Sequence, residues 1–177
     1  AVAGLSYIYE KFHKKYNILV LPDDKDDGID KWQPSLKKYA TSLGLKVVSL
    51  SDIYEISNLC FISLEYFKLI NPEKFKKARL YNIHFSLLPA YKGMYTSAHP
   101  ILNGERWSGC TFHRIDKGID SGDIIAQISF PLQNDIYCKQ LYEEYLSHGH
   151  KLVEKTIVDI IEDTYDSKPQ SSEGHSY

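Results

Sequence analysis

The sequence predicts an α/β domain: a mostly parallel, twisted sheet flanked by helices. Two observations carry this. Short apolar runs of strand length alternate with stretches of helical period, the pattern of parallel strands joined by crossover helices. A chain of 177 residues, 43% hydrophobic and 25% charged, also has the size and balance of one domain with a sizeable core.

The elements follow in chain order. Leu5 to Tyr16 reads as helix, because Leu5, Ile8, Tyr9 and Phe12 fall on one face. Asn17 to Leu21 is a buried strand stopped by Pro22. The acidic segment Asp23 to Asp30 is a solvated loop, since its carboxylates lack the ligand spacing and bidentate Glu of a calcium-binding EF-hand. Gln33 to Leu43 is helical and ends at Gly44, and Lys46 to Leu50 is the next strand. Leu59 to Ser63 is a further apolar run. Pro72, suited to a first helical turn, opens a short helix through Ala78, and Arg79 to Ile83 is a strand running into His84.

After a turn at Pro89 to Gly93, Thr96 to Asn103 is a short helix ending at Gly104. Gly109 to Ile115 and Ile124 to Pro131 are strands joined by the Asp116 to Asp123 loop. Tyr137 to Asp163 is a long amphipathic helix with Leu141, Tyr145, His148, Leu152 and Ile160 near one face. Ser167 to Tyr177, polar and containing Pro and Gly, is an extended tail.

Composition excludes several classes. No apolar run reaches the ~20 residues of a membrane-spanning helix, and the first residues lack the pattern of a secretory signal. Cys60, Cys110 and Cys138 are too few and scattered for a disulfide framework or a paired zinc motif, and they suit a reducing cytoplasm. A net charge of −2 without a basic stripe offers a nucleic-acid backbone no landing surface.

The chemistry concentrates between Tyr81 and Ile125. Asn82 and His84 stand two apart at the end of a strand, so their side chains share a face, at the carboxyl end where open α/β sheets bind ligands. Ser86 to Pro89, Tyr91 and Gly93 follow, then Gly109, Thr111 and His113 on a strand, then Asp120, Gly122 and Ile124. Singly these residues have ordinary readings: an isolated histidine is usually structural, and Asp-Ser-Gly is turn chemistry. His84 and His113 lack the i, i+4 helical pairing of a zinc hydrolase, so no metal is expected.

Together they spell Asn-x-His, Ser-Leu-Leu-Pro-x-Tyr-x-Gly, Gly-x-Thr-x-His and Asp-x-Gly-x-Ile, which resembles the active-site core of the formyltransferases that use N10-formyltetrahydrofolate. The resemblance implies a Rossmann-like core and direct transfer of a formyl group through a tetrahedral intermediate. Asn82 would hold the formyl oxygen, His84 would serve the oxyanion and carry protons, and Asp120 would fix the imidazole and anchor a water. His113 has two open readings, a support for Asp120 or its loop, or a direct catalytic part. His99, His148 and His150 take no family role.

The resemblance also places the pterin on two segments, mainly through backbone groups: Phe67, Lys68 and Ile70, and Asp116, Lys117, Gly118 and Ile119, with Gly118 permitting close approach. The same Phe67 to Ile70 residues also suit a half-buried helix entry.

The core motif is shared by enzymes acting on glycinamide ribonucleotide, methionyl-tRNA and nucleotide-linked amino sugars. Phe85 in place of the proline common after the histidine, the Tyr91 to Ser97 run and Pro169-Gln170 make this chain look most like the nucleotide-sugar N-formyltransferases, with dTDP- or GDP-linked amino-dideoxy sugars as acceptors. Ser86, Tyr91 and Lys92 are then candidate substrate contacts, Lys92 for a diphosphate. A glycinamide ribonucleotide enzyme and a noncatalytic folate- or nucleotide-binding module are the alternatives. The expected partner is a small nucleotide sugar, with neither nucleic acid nor membrane, and family members are often homodimers. The expected organisation is a catalytic core over 1–166 and an extended tail over 167–177. Such folds usually open with an apolar strand; here that strand is either very short or precedes Ala1, and the tail suggests continuation beyond Tyr177.

Overall fold

The computed structural model describes residues 1–177. In order the elements are α1 (Val2–Phe12), β1 (Leu19–Val20), α2 (Leu36–Ser42), β2 (Lys46–Val47), α3 (Leu50–Ile53), β3 (Ser57–Leu64), a 3₁₀ turn (Pro72–Lys74), β4 (Lys77–His84), α4 (His99–Leu102), β5 (Trp107–Arg114), β6 (Ile124–Pro131) and α5 (Cys138–Glu162). The Rossmann-like class holds, with parallel pairing confined to the first half. β1 pairs parallel with β2, and β3 with β4, whereas β4–β5 and β5–β6 are antiparallel. Pairing changes direction where the connections lose long helices, since the β5–β6 link is a loop.

Several predicted bounds shift for identifiable reasons. The first helix starts at Val2 and ends at Phe12, beyond which the chain turns. The strand expected through Leu50 stops at Val47, because the Asp52 carboxylate accepts from the Ser49 amide at 2.8 Å and starts α3 instead. The helix expected from Pro72 to Ala78 closes after Lys74, and Lys77 and Ala78 already pair with β3.

The main core lies between α5 and one face of the β4–β5–β6 hairpins. Tyr81, Ile83, Cys110, Phe112 and Phe130 from the strands meet Leu141, Tyr145, Leu152, Val153, Ile157 and Ile160 from the helix. Each fully buried side chain of this size stabilises by about 1.5–3 kcal/mol, which is how a 25-residue helix is held to the sheet. Its C-terminus is tied down by Arg79, whose Nη1 and Nη2 donate to the Ile160 and Ile161 carbonyls at 2.7 and 2.9 Å. The opposite face carries Leu80, packed with Ile53 and Phe61. A cavity of about 1040 Å³ is lined from α1, β1 and β3, with Leu5, Ile8, Val20 and Phe61 among its walls. No helix is long and apolar enough to cross a membrane.

Candidate active site

β4 and β5 supply three of the four reactive side chains through simple alternation. Tyr81 and Ile83 point to α5, so Asn82 and His84 share the opposite face. In the antiparallel register Asn82 lies opposite His113, and His84 opposite Thr111. Thr111 and His113 therefore stand on the same face, and the core residues Cys110 and Phe112 on the other.

The fourth side chain arrives on a closed loop. The Arg114 amide donates to the Asp123 carbonyl at 3.0 Å, and Gly122 passes so near the Arg114 carbonyl that a Cβ would lie 1.9 Å from its oxygen. Within the loop, Asp116 Oδ1 accepts from the Gly118 amide at 3.0 Å and from Ser121 Oγ at 2.7 Å. Asp120 is left-handed at φ 47°, a conformation that costs of order 1–3 kcal/mol and that its surroundings must hold.

So held, the Asp120 carboxylate meets the whole cluster. Oδ1 lies 3.3 Å from Asn82 Nδ2 and 3.4 Å from His113 Nε2. Oδ2 lies 3.3 Å from His84 Nδ1 and accepts from the Gly93 amide at 2.9 Å. Burial works against ionisation, but the hydrogen bond with His113, the attraction of the His84 ring when it carries a proton, and the Gly93 amide together hold the carboxyl down at about 2.

Proton positions follow from the partners. His113 Nδ1 donates to the Arg114 carbonyl at 2.8 Å, which leaves Nε2 between Asn82 Nδ2 at 3.2 Å and Asp120 Oδ1 at 3.4 Å: without a proton it accepts from the amide, and with one it donates to the carboxylate. His84 Nε2 donates to the Tyr91 carbonyl at 2.6 Å, which leaves Nδ1 facing Asp120. A proton on Nδ1 would complete an ion pair. Burial opposes that proton and draws the His84 ring below its ordinary pKa, with Asp120 pulling the other way. The ring thus has a place for a proton and a bias against keeping it, the balance a proton carrier needs.

Thr111 fastens the loop that follows His84. Its Oγ1 donates to the Ser86 carbonyl at 2.7 Å, and accepts from the Leu88 amide at 3.1 Å and from Gln127 Nε2 at 2.9 Å. Ser86 is fully buried and its hydroxyl donates to the Ala90 carbonyl at 2.6 Å. The structure thus places this expected substrate contact inside the turn, with its hydroxyl proton used there and no surface exposed. Tyr91 is left-handed at φ 57°, and its hydroxyl donates to Glu105 at 2.6 Å. Lys92 is half-buried beside it.

The two expected pterin segments differ in character. Phe67 and Leu69 are 69% and 77% exposed, and Lys68 pairs with Asp24. Ile70 packs at the edge of the Ile53–Phe61–Leu80 cluster. Lys117 pairs with Glu73 at 2.5 Å, which ties the Asp116–Ile119 loop to the 3₁₀ turn just after the first segment. Ile119 is exposed and approaches Gly93. A Cβ at Gly118 would meet Ser121 Oγ, within the same loop, at 2.0 Å.

Sequence reasoning missed the backbone members, the Tyr91 carbonyl and Gly93 amide, and also the tail. Lys168 bridges Ile124, Gln170 Nε2 reaches the Asp120 and Gly122 carbonyls, and Ser176 Oγ accepts from the Tyr91 amide at 2.8 Å. The Pro169-Gln170 pair was the available signal for this.

An amide, two imidazoles and an ionised carboxylate on one face of a mixed α/β sheet can hold a carbonyl oxygen and move a proton. Residues 53–157 match the formyl transferase family model, and the chain belongs to that family. The solved structure of WlaRD, a sugar 3N-formyl transferase with dTDP and 5-N-formyl-THF, is 44% identical with a TM-score of 0.96, over 99% of this chain and 64% of that one. An N-formyltransferase from Helicobacter canadensis, in complex with folinic acid and dTDP-3-aminofucose, gives the same identity and TM-score over 99% and 65%. Methionyl-tRNA formyltransferase of Finegoldia magna is 27% identical over 99% of this chain and 60% of its own. The chain spans about 60% of the length of the curated relatives it matches.

Proposed function

We propose that this chain is the catalytic core of an enzyme that transfers the formyl group of N10-formyltetrahydrofolate to the amine of a nucleotide-linked amino sugar. The observation that carries the acceptor is the 44% identity, across 99% of the chain, to two sugar N-formyltransferases whose structures hold dTDP or a dTDP-amino sugar with a formyl-folate. Against this stands 25–33% identity to tRNA enzymes.

The cluster supplies the steps. The acceptor amine attacks the formyl carbon, and the carbonyl oxygen gains charge. Asn82 can take up that oxygen by giving it the hydrogen now shared with Asp120 at 3.3 Å, a long and easily exchanged contact. His84 must exchange its Tyr91 acceptor for the oxyanion, while Asp120 holds the ring as it gains charge. The ionised Asp120 favours a proton on its way from the amine to the leaving N10. Exposed Phe67, Leu69 and Ile119 offer apolar surface to the pterin, with backbone of both segments alongside, and Tyr91 and Lys92 flank the acceptor side.

The test is incubation with N10-formyltetrahydrofolate and separate acceptors: dTDP-amino sugars, GDP-amino sugars, glycinamide ribonucleotide and methionyl-tRNA. Mass spectrometry should find the formamide on a nucleotide sugar. Formylation of glycinamide ribonucleotide or tRNA alone would reassign the acceptor, and ligand binding without any formyl product would make the chain a binding module.

A further inference from the structure

The tail returns to the site across both loops that build it. Gln170 lies 50 residues from Asp120, yet its Nε2 donates to the Asp120 carbonyl at 2.8 Å and to the Gly122 carbonyl at 2.8 Å. Both hydrogens of one amide nitrogen are thereby used, and the two acceptors fix the carboxamide orientation, since a flipped oxygen would face two carbonyls. These acceptors bracket Ser121 and belong to the backbone whose left-handed turn aims the Asp120 carboxylate. The Lys168–Ile124 bridge, with bonds of 2.8 Å in both directions, anchors the segment that carries Gln170. Farther on, the Ser176 carbonyl accepts from the Lys92 amide at 2.8 Å and Ser176 Oγ from the Tyr91 amide, which steadies the peptide whose carbonyl receives His84.

We infer that Gln170 is a positioning residue for the reaction: its carboxamide clamps the Asp120–Gly122 backbone and so holds the Asp120 carboxylate against Asn82, His84 and Gly93. The inference rests on the formyl-transfer reading for its kinetic readout only. Nothing else spans the two carbonyls, and Gln170 Oε1 is buried without a protein partner, so the side chain is spent on this clamp and not on a wider polar network. An aspartate held at φ 47° relaxes once its backbone is released, and a shift of the order of 1 Å in a reacting group costs about 10²-fold in rate.

Two substitutions test this in the full chain. Gln170→Met keeps length and shape but removes both donors, whereas Gln170→Lys keeps donors on a side chain long enough to reach the carbonyls. Gln170→Met should lower kcat about 10- to 100-fold with KM for the folate changed less than about twofold. Gln170→Lys should recover most of the loss, which a packing role would not produce. By NMR, the His84 ring should titrate at lower pH in Gln170→Met than in the parent, because Asp120 no longer supports its charge. A kcat within twofold of the parent, an unmoved His84 titration, failure of Lys to rescue, or unfolding of both variants would each overturn the assignment. If the parent formylates no acceptor, the functional reading fails by itself, and the His84 titration still decides the role of Gln170.

Discussion

Replacing Asp120 with Asn removes a charge and keeps the shape, so it isolates what the carboxylate does. In the native site the carboxyl is held at about 2 against an ordinary 3.8. At about 1.4 kcal/mol per unit, ionisation of Asp120 contributes on the order of 2 kcal/mol to stability. Its folded pKa is depressed, so that contribution is present above pH ~3.8 and is lost as pH falls through about 2. In Asp120→Asn this acid-dependent part disappears, and the two proteins should converge in stability towards pH 2. The same change strips His84 of the charge that favours its protonated form, while burial and His113 still disfavour it, so its titration drops further. Loss of the group that steadies a proton carrier should lower turnover by about 10²–10⁴-fold. Urea unfolding at pH 7, 4 and 2.5, with kcat measured beside it, provides the assay. A variant with near-normal turnover, or one that keeps the parent's full loss of stability between pH 4 and 2.5, would refute the reasoning.

Thr111→Val removes the hydroxyl that serves the Ser86 carbonyl, the Leu88 amide and Gln127; leaving the first two buried and unpaired should cost about 1–3 kcal/mol each by denaturant titration. Turnover should fall as well, because the His84 loop loosens. Arg79→Met should cost about 1–2 kcal/mol and raise hydrogen exchange at the last turn of α5, whose carbonyls lose their donors. Alkylation under native conditions should label exposed Cys138 first, ahead of Cys60, whose thiol burial raises to about 11, and of fully buried Cys110, without loss of formyl transfer. Mapping the adduct by peptide mass spectrometry checks the order.

How far the fold was legible depended on how local each signal was. β6 has the bounds read from its sequence, and α5 differs by one residue at each end, because a sustained period and flanking breakers define them. α3 was hidden because Lys46 to Leu50, with Val47, Val48 and Leu50, reads as a short strand, and only the Ser49–Asp52 capping pair marks its end. The pairing of Asn82 with His84 was legible by parity alone. His113 joins them through a register of 31 residues' separation that no local pattern fixes. Tyr91 and Gly93 act through backbone groups that every residue carries, so their side chains give no warning. Gln170 looked like part of an extended tail because its partners are backbone carbonyls about 50 positions away.

The shared register of β4 and β5 has a consequence for how such a site can change over evolutionary time. The positions between Asn82 and His84, and between Thr111 and His113, are the very residues that pack on α5. A one-residue insertion in either strand would trade catalytic side chains for core ones at every position beyond it, damaging both together. Chemistry and core are two sides of one sheet and are inherited as a unit. The loops leaving its rim are bound to it as well, through Asp120 on one side and the Tyr91 carbonyl and Gly93 amide on the other, so change is most readily accommodated at exposed positions such as Met94 and Tyr95.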